Sequence, residues 1–480
     1  MKNNFTLVKP GSFEPANHWY PKALNATIHP MVSFFLNLST DRIVSRYTHL
    51  NPMVDAHALH DILTSQNSYF RWAGADLINV TTEKGNKRMV VIENNSCPSG
   101  QKSMPLIDDF QEYGSYRRLI EETFIPLLKN KRKSIEGSLA VLYDKNPMEA
   151  SGYAATIADM MNEPVYYIYM PDSDELESYI RFDDGVLLFY DGTEWITIRA
   201  AFRYVTQKPW NRIPLQSKTQ ILNPIIACLA GGRNKMVAAK AYDLYNTELR
   251  PYGLNIYTPE TIWDVSKNEI PLWVTKMGGH AVIKIPYSNA GQGVFTITSQ
   301  EELDAFMERD YDYDQFIVQS LIGNYEWSSV SRHGKYYHVG TIPSTKGHTY
   351  VCDIRMMVAS TSAGMRPLCV YSRRAEAPLL NDVKGPYSSW DMLGTNLSIK
   401  LENNNWGSDT NRLMLMDRRD FNKLGLGLDD LLEAYIQSIL SMKAIDNMAK
   451  QLTNSKGQFR SKLFKSLNDD NRLIQEIKVK

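Results

Sequence analysis

The segment VVIENNSCPSG, residues 90–100, ends an apolar run in Glu93, Asn94 and Asn95, residue types that strands disfavour. In a strand, positions two apart share a face, so Glu93 and Asn95 project together. The preceding strand, AGADLINV, carries Asp76. With the turn EKGNK centred near Gly85, hairpin pairing places position 76 across from about position 94. Three oxygen-bearing side chains then converge at one end of one sheet. Carboxylates and amides are the donors that hard Mg²⁺ takes, with phosphate oxygens filling the remainder. The plain alternative is a polar strand end facing solvent.

A second constellation lies in HAVIKIPYSNAGQGVFTI, residues 280–297. A strand through Ala281, Val282 and Ile283 delivers Lys284. The small-residue loop Ser288-Asn289-Ala290-Gly291-Gln292-Gly293 follows, and a further strand begins at Val294. Glycines let backbone N–H groups approach a polyphosphate, and a lysine supplies the countercharge. A lysine on an apolar strand is costly to bury unpaired. GxxxxGK[ST] is absent and no helix follows directly, so this is not a Walker A loop. Taken alone, such a hairpin is as often a simple turn. No Ser/His/Asp or Cys/His set stands out. Cys97 has no histidine near it in sequence, and His60, His280 and His338 lack ligand spacing and read as structural.

The succession that follows resembles the ATP-grasp superfamily. It comprises Phe316-Ile317-Val318-Gln319-Ser320-Leu321-Ile322-Gly323, then Glu326, then Cys352-Asp353-Ile354-Arg355. The resemblance implies ATP held between two α+β lobes, with Lys284 on its phosphates and the loop Ser288–Gly293 over them. Gln319, Ser320, Leu321 and Ile322 become the hinge that meets adenine through the backbone, and Glu326 the acid on the ribose. Lys235, after Asn234 at a helix start, matches the second phosphate lysine, and Thr258-Pro259 also fits. Arg355 and Arg373 would face substrate or the transferred phosphoryl group, and Asn396 would lie near the phosphates. The family's Mg²⁺ ligands usually follow the nucleotide lobe. Here Asp76, Glu93 and Asn95 supply that set ahead of it, so the chain resembles a circularly permuted ATP-grasp protein. Pro98-Ser99-Gly100 after the metal strand agrees. The implied activity is a Mg-ATP-dependent ligase. A small-molecule or peptide carboxylate is activated as an acyl phosphate and joined to an amine, releasing ADP and phosphate. A phosphotransferase (kinase) at the same site, or a non-catalytic nucleotide-sensing scaffold, are the other readings.

The elements that must position these residues form an α+β or α/β chain. Residues 1–132 hold short helices and the metal-ligand hairpin. Residues 133–220 form a pre-ATP substrate domain whose βαβ pattern predicts a small parallel sheet. Residues 221–410 are the nucleotide-binding lobes, and 411–480 a helical end with a polar, peripheral tail. Residues 107–130 read as one helix, and 348–374 and 390–400 as strands. At 480 residues, with 53 basic and 53 acidic side chains, the chain supports two or three packed lobes with no global pull on nucleic acid or anionic membrane. No apolar run reaches the ~18 residues of a membrane span, and the first residues lack a signal-peptide core. Four cysteines without CxxC spacing argue against zinc or a disulfide framework. A cytoplasmic enzyme with reduced thiols is the expectation.

Overall fold

The structure is a computed structural model, and it describes residues 4–108, 110–129, 135–205, 210–288, 293–383, 385–400 and 406–477. In chain order the strands are β1 (Phe5–Val8), β2 (Trp72–Thr82), β3 (Lys87–Ser96), β4 (Ser138–Tyr143), β5 (Val165–Tyr169), β6 (Ile180–Asp183), β7 (Val186–Tyr190), β8 (Trp195–Tyr204), β9 (Gln220–Leu222), β10 (Thr261–Ser266), β11 (Ala281–Lys284), β12 (Val294–Ile297), β13 (Gln315–Ser320), β14 (Tyr336–His338), β15 (Cys352–Thr361), β16 (Gly364–Arg374), β17 (Ser398–Lys400), β18 (Trp406–Ser408) and β19 (Leu413–Met414). Helices are interspersed, and the fold is mixed α/β with several sheets.

The first sheet has the order β1-β5-β4-β8-β7-β6, with β9 beside β8. Its centre is parallel: β4 pairs β5 and β8 that way, and β8 pairs β9. The expected small parallel sheet is therefore larger and mixed, because β1 closes one edge and the β6–β7 hairpin the other, both antiparallel. SLAVLY and VYYIY are apolar on both faces, as strands covered from two sides must be. The helix Pro147–Met161 makes the crossover between them.

The second sheet has the order β10-β13-β11-β12 and carries Lys284 and the hinge. The third runs β14-β2-β15-β16-β19, with β3 on the other edge of β2. Strands β2 and β3 thus join strands that lie far downstream, with Asp76 across from Arg355. The helix Leu428–Gln451 packs against β2, β3, β15 and the helix Lys235–Leu249. It is buried almost all round, so it is a core element and not an amphipathic surface helix.

Several expectations change. Residues 107–108 and 110–113 are not helical; the helix starts at Gly114 and passes through a π-type turn at Ile120–Phe124 before Ile125–Leu128. In 390–400 only Ser398–Lys400 is strand, and Ser389–Leu393 is a short helix closed by a Ser388/Asp391 capping box. The tail is not peripheral. Its helices Ser461–Leu467 and Asn471–Ile477 bury Phe464, Leu473 and Ile477, and Asn468 between them is fully buried. Phe459, Leu463, Phe464, Leu467, Leu473 and Ile477 pack with the main core, a pattern the many charges hid. Among the described residues, no helix is long and apolar enough to cross a membrane, and the four cysteines are free and buried.

Candidate functional site

The early hairpin and the lysine strand meet. Lys284 Nζ donates to the Ile92 backbone carbonyl at 3.2 Å. That carbonyl is available because β3 bulges there: Asp76 pairs with Glu93 and Leu77 with Val91, which leaves Ile92 unmatched. The bulge moves the partner of Asp76 by one, from position 92 to Glu93, where the sequence put it at about 94, and bulges of this kind re-aim side chains beside sites. Asp76 and Glu93 are therefore direct cross-strand neighbours. Lys235 Nζ donates to the Ser288 carbonyl at 2.7 Å and lies 3.6 Å from Glu93 Oε2. Asn95 Nδ2 donates to Glu93 Oε1 at 3.1 Å, and Arg233 Nη1 donates to Asn95 Oδ1 at 3.2 Å.

The electrostatics follow from these distances. Burial alone would raise the Glu93 carboxyl, but Lys235, Lys284 and Arg355 together hold it well below the usual carboxylate range. Burial pulls the Lys284 ammonium down to about 8, against the opposing pull of Glu93. Burial and the nearby Arg233 guanidinium likewise bring Lys145 down to about 7.

Asp76 departs from its expected role as a metal ligand. Arg355 lies directly across from it in β15 and grips both of its oxygens, Nε to Oδ1 at 2.5 Å and Nη2 to Oδ2 at 2.6 Å. Arg373 Nη2 lies 2.9 Å from Asp76 Oδ2 and also clamps Asp353, its own cross-strand partner. Thr395 Oγ1 donates to Asp353 at 2.9 Å. Two acids and two arginines thus interlock on three adjacent strands. Breaking such a buried network strands a charge, at a cost of roughly 3–5 kcal/mol. The pattern x-Asp-x-Arg on β15 signals an arginine, but its occupation by Asp76 depends on strand order.

These groups line one cleft of about 810 Å³, within the range of small-molecule sites. Asp76, Glu93, Asn95, Lys235, Lys284, Ser288, Gln319, Ser320, Ile322, Arg355, Arg373 and Asn396 all reach it. Among the described residues, seven cationic side chains stand against four carboxylates in its walls, so the cleft favours a polyanion. One region is apolar, with Ile78, Ile92, Val282 and Ile322 beside Gln319 and His338. Gln319 Nε2 donates to Thr261 Oγ1 at 2.8 Å. His338, read as structural from sequence, is held neutral by burial, far below its ordinary pKa.

Other expected residues lie elsewhere. Glu326 is exposed and outside the cleft lining, because its loop turns back on Asn324, whose Oδ1 accepts from the Glu326 and Trp327 N–H groups. Leu321 packs with Trp327, Ala377 and Met392. Its N–H donates to Ser329 Oγ at 2.6 Å and its carbonyl accepts from the Ser329 N–H, so this part of the hinge is closed on itself. Gly293 begins the described chain after the loop; Asn289, Ala290, Gly291 and Gln292 lie outside the described residues.

Sequence reasoning missed four contributors. Lys102 and Lys145 line the cleft from segments with no motif. Glu149 is fully buried and accepts from the Gly100 and Gln101 N–H groups and from Ser99 Oγ, which fixes the Pro98-Ser99-Gly100 turn. At Gly100, φ is 150° and a Cβ would meet Tyr371 at 2.1 Å, so only glycine fits. The fourth is Asn468, whose Oδ1 accepts from Asn234 Nδ2 and from Tyr287 OH, bracing both the lysine helix and the start of the glycine loop.

No protein-family model matches the chain, and no curated protein matches it. Among solved structures, a glutathione synthetase-like effector from Globodera pallida is similar over 72% of this chain and 82% of its own, at 10% identity and a TM-score of 0.39. A RimK-domain ATP-grasp protein from Sphaerobacter thermophilus covers 52% and 92% at 13% identity, with a TM-score of 0.30. D-alanyl-alanine synthetase A from Vibrio cholerae covers 54% and 94% at 13% identity, with a TM-score of 0.32.

Proposed function

We propose that the chain is an ATP-grasp-type, Mg-ATP-dependent ligase that activates a carboxylate as an acyl phosphate and joins it to an amine, releasing ADP and phosphate. One observation carries this reading: Lys284, Lys235 and Glu93 converge in a single cationic cleft although Glu93 precedes both lysines by more than a hundred residues. The hairpin that precedes the lysine lobe in sequence lies against it in space, as a circular permutation requires.

The apolar region beside Gln319 takes the base. Lys284 and Lys235 neutralise the phosphates, and Arg233 extends the positive field past Asn95. Glu93 and Asn95 fit a hard cation as one ionised carboxylate and one amide, while Asp76 is committed to the arginines. Mg²⁺ bound there would supply further charge neutralisation at the phosphates. The Asp76–Arg355–Arg373–Asp353 network fixes the guanidinium groups in place, so they meet developing negative charge without reorganising. The walls hold the acid against the terminal phosphate, and such positioning supplies much of the rate. The chain needs no nucleophile of its own: Cys97 is buried with its thiol donating to the Arg203 carbonyl.

The test is a screen of amino acids, polyamines and short peptides for ADP and phosphate release, with mass detection of the joined product. An amide product with stoichiometric ADP and phosphate is expected. A phosphorylated acceptor without free phosphate would replace the ligase by a kinase. ATP binding without consumption would leave a nucleotide-sensing scaffold.

A further inference from the structure

One region of the cleft is walled by Tyr20, Lys102, Ser103, Lys145 and Asn146, and nothing in the nucleotide reading uses it. Lys102 is only 6% exposed. Its ammonium donates to Asn146 Oδ1 at 3.1 Å and lies 5.0 Å from the Tyr20 ring. Lys145 Nζ donates to the Cys97 carbonyl at 3.4 Å and lies 5.3 Å from the Tyr204 ring. Neither ammonium has a carboxylate at ion-pair distance among the described residues. The acid that Lys145 feels is Asp144, which pairs with Arg212 at 2.8 Å. Lys102 is thus buried and Lys145 half-buried, both with neutral partners, an arrangement that is costly until an anion arrives.

Their placement is built and specific. Asn146 sits at φ 45°, a left-handed conformation that Asn tolerates better than most residues. Its amide is fixed by donating to Ser99 Oγ at 3.1 Å, which leaves Oδ1 to orient Lys102. Arg233 Nη2 donates at 3.3 Å to the same Cys97 carbonyl that Lys145 uses. Lys145 therefore stands beside the guanidinium that touches Asn95, at the edge of the reacting centre, while Lys102 stands beyond Asn146.

We propose that this region binds the acid substrate, and that the acid carries two carboxylates, one held by Lys145 beside the reacting centre and the other by Lys102. That the bound acid is the one activated rests on the ligase reading; that the region binds a dianion does not.

The experiment separates the two. The full chain, saturated with Mg²⁺ and a non-hydrolysable ATP analogue to occupy the phosphate lysines, is titrated calorimetrically with succinate, glutarate and adipate, and with butyrate and 1,5-diaminopentane. At least one dicarboxylate is expected to bind roughly tenfold or more tighter than butyrate, the size of one charged hydrogen bond, and the diamine not to bind. Lys102→Gln should bring that dicarboxylate down to the butyrate level and Lys145→Gln should weaken both acids, whereas Lys102→Arg should retain discrimination. Nucleotide affinity reports that each variant is folded, and if Lys102→Gln does not fold, Lys145→Gln and Lys102→Arg decide. Equal affinity for mono- and dicarboxylates, no binding of any acid, or dicarboxylate affinity unchanged in both Gln variants overturns the proposal. If the analogue does not bind but the dicarboxylate pattern holds, the ligase reading fails and the dianion site stands.

Discussion

At the scale of single residues, Glu93 and Lys284 set each other's charge. Glu93 is kept ionised by Lys235, Lys284 and Arg355 despite burial. Glu93→Gln keeps the size and one oxygen but removes the charge. ADP release is expected to fall about a hundredfold or more, with the circular dichroism spectrum intact; near-normal release would remove Glu93 from the metal site. Lys284 gives a pH signature with two parts. Its folded value lies at about 8, below the ordinary 10.5, because burial disfavours the ammonium. Between those values the unfolded chain holds more protons, so the free protein gains stability as pH rises through this window. Only the protonated lysine attracts phosphate, so nucleotide affinity should fall over the same window. Lys284→Arg stays charged and should flatten the affinity profile; calorimetry at pH 7, 8 and 9 reads both proteins. Equal slopes would take the phosphate role from Lys284.

At the scale of elements, the helix Lys235–Leu249 must present its first residue to the cleft. Its N-cap Asn234 accepts from the Val237 N–H, and the other end of that amide is held by Asn468. Asn468→Ala leaves the Asn234 amide and the Tyr287 hydroxyl without this acceptor in a buried setting. A loss of about 1–3 kcal/mol in urea unfolding is expected, together with weaker nucleotide binding because Lys235 loses its brace. Unchanged nucleotide affinity at lowered stability would confine Asn468 to the core. The β-bulge at Ile92 is the other element-scale device. It turns one carbonyl toward Lys284, and a strand without it would spend that carbonyl on β2.

At the scale of the molecule, the helix Leu428–Gln451 binds the early hairpin to the rest. Asp446 is fully buried within it and accepts from the Ser68, Tyr69 and Phe70 N–H groups, immediately before β2. Asp446→Ala removes the acceptor for all three, and a cost of about 3 kcal/mol or more is expected in thermal or urea unfolding. The loss should spread to the site, since β2 carries Asp76 and anchors β3. A variant as stable as the parent would show that the lobes are joined by other contacts.

Local pattern by itself determined much of this protein. Apolar runs flanking a Gly/Asn turn specify β2 and β3, an apolar run ending in lysine specifies β11, and first-turn acids with a serine cap specify the helix Gln300–Glu308. These signals are local because backbone hydrogen bonding and side-chain periodicity are decided within a few residues. What the sequence withheld was which strands adjoin. Asp76 reads as a free carboxylate until β15 is known to lie beside it, and it then becomes the partner of an arginine 279 positions away. Lys102 and Lys145 carry no motif, and Glu326 matches one yet faces solvent. Only the tertiary structure decides such cases, because a charge acquires its role from the groups within a few ångströms of it, and chain separation says nothing about that distance.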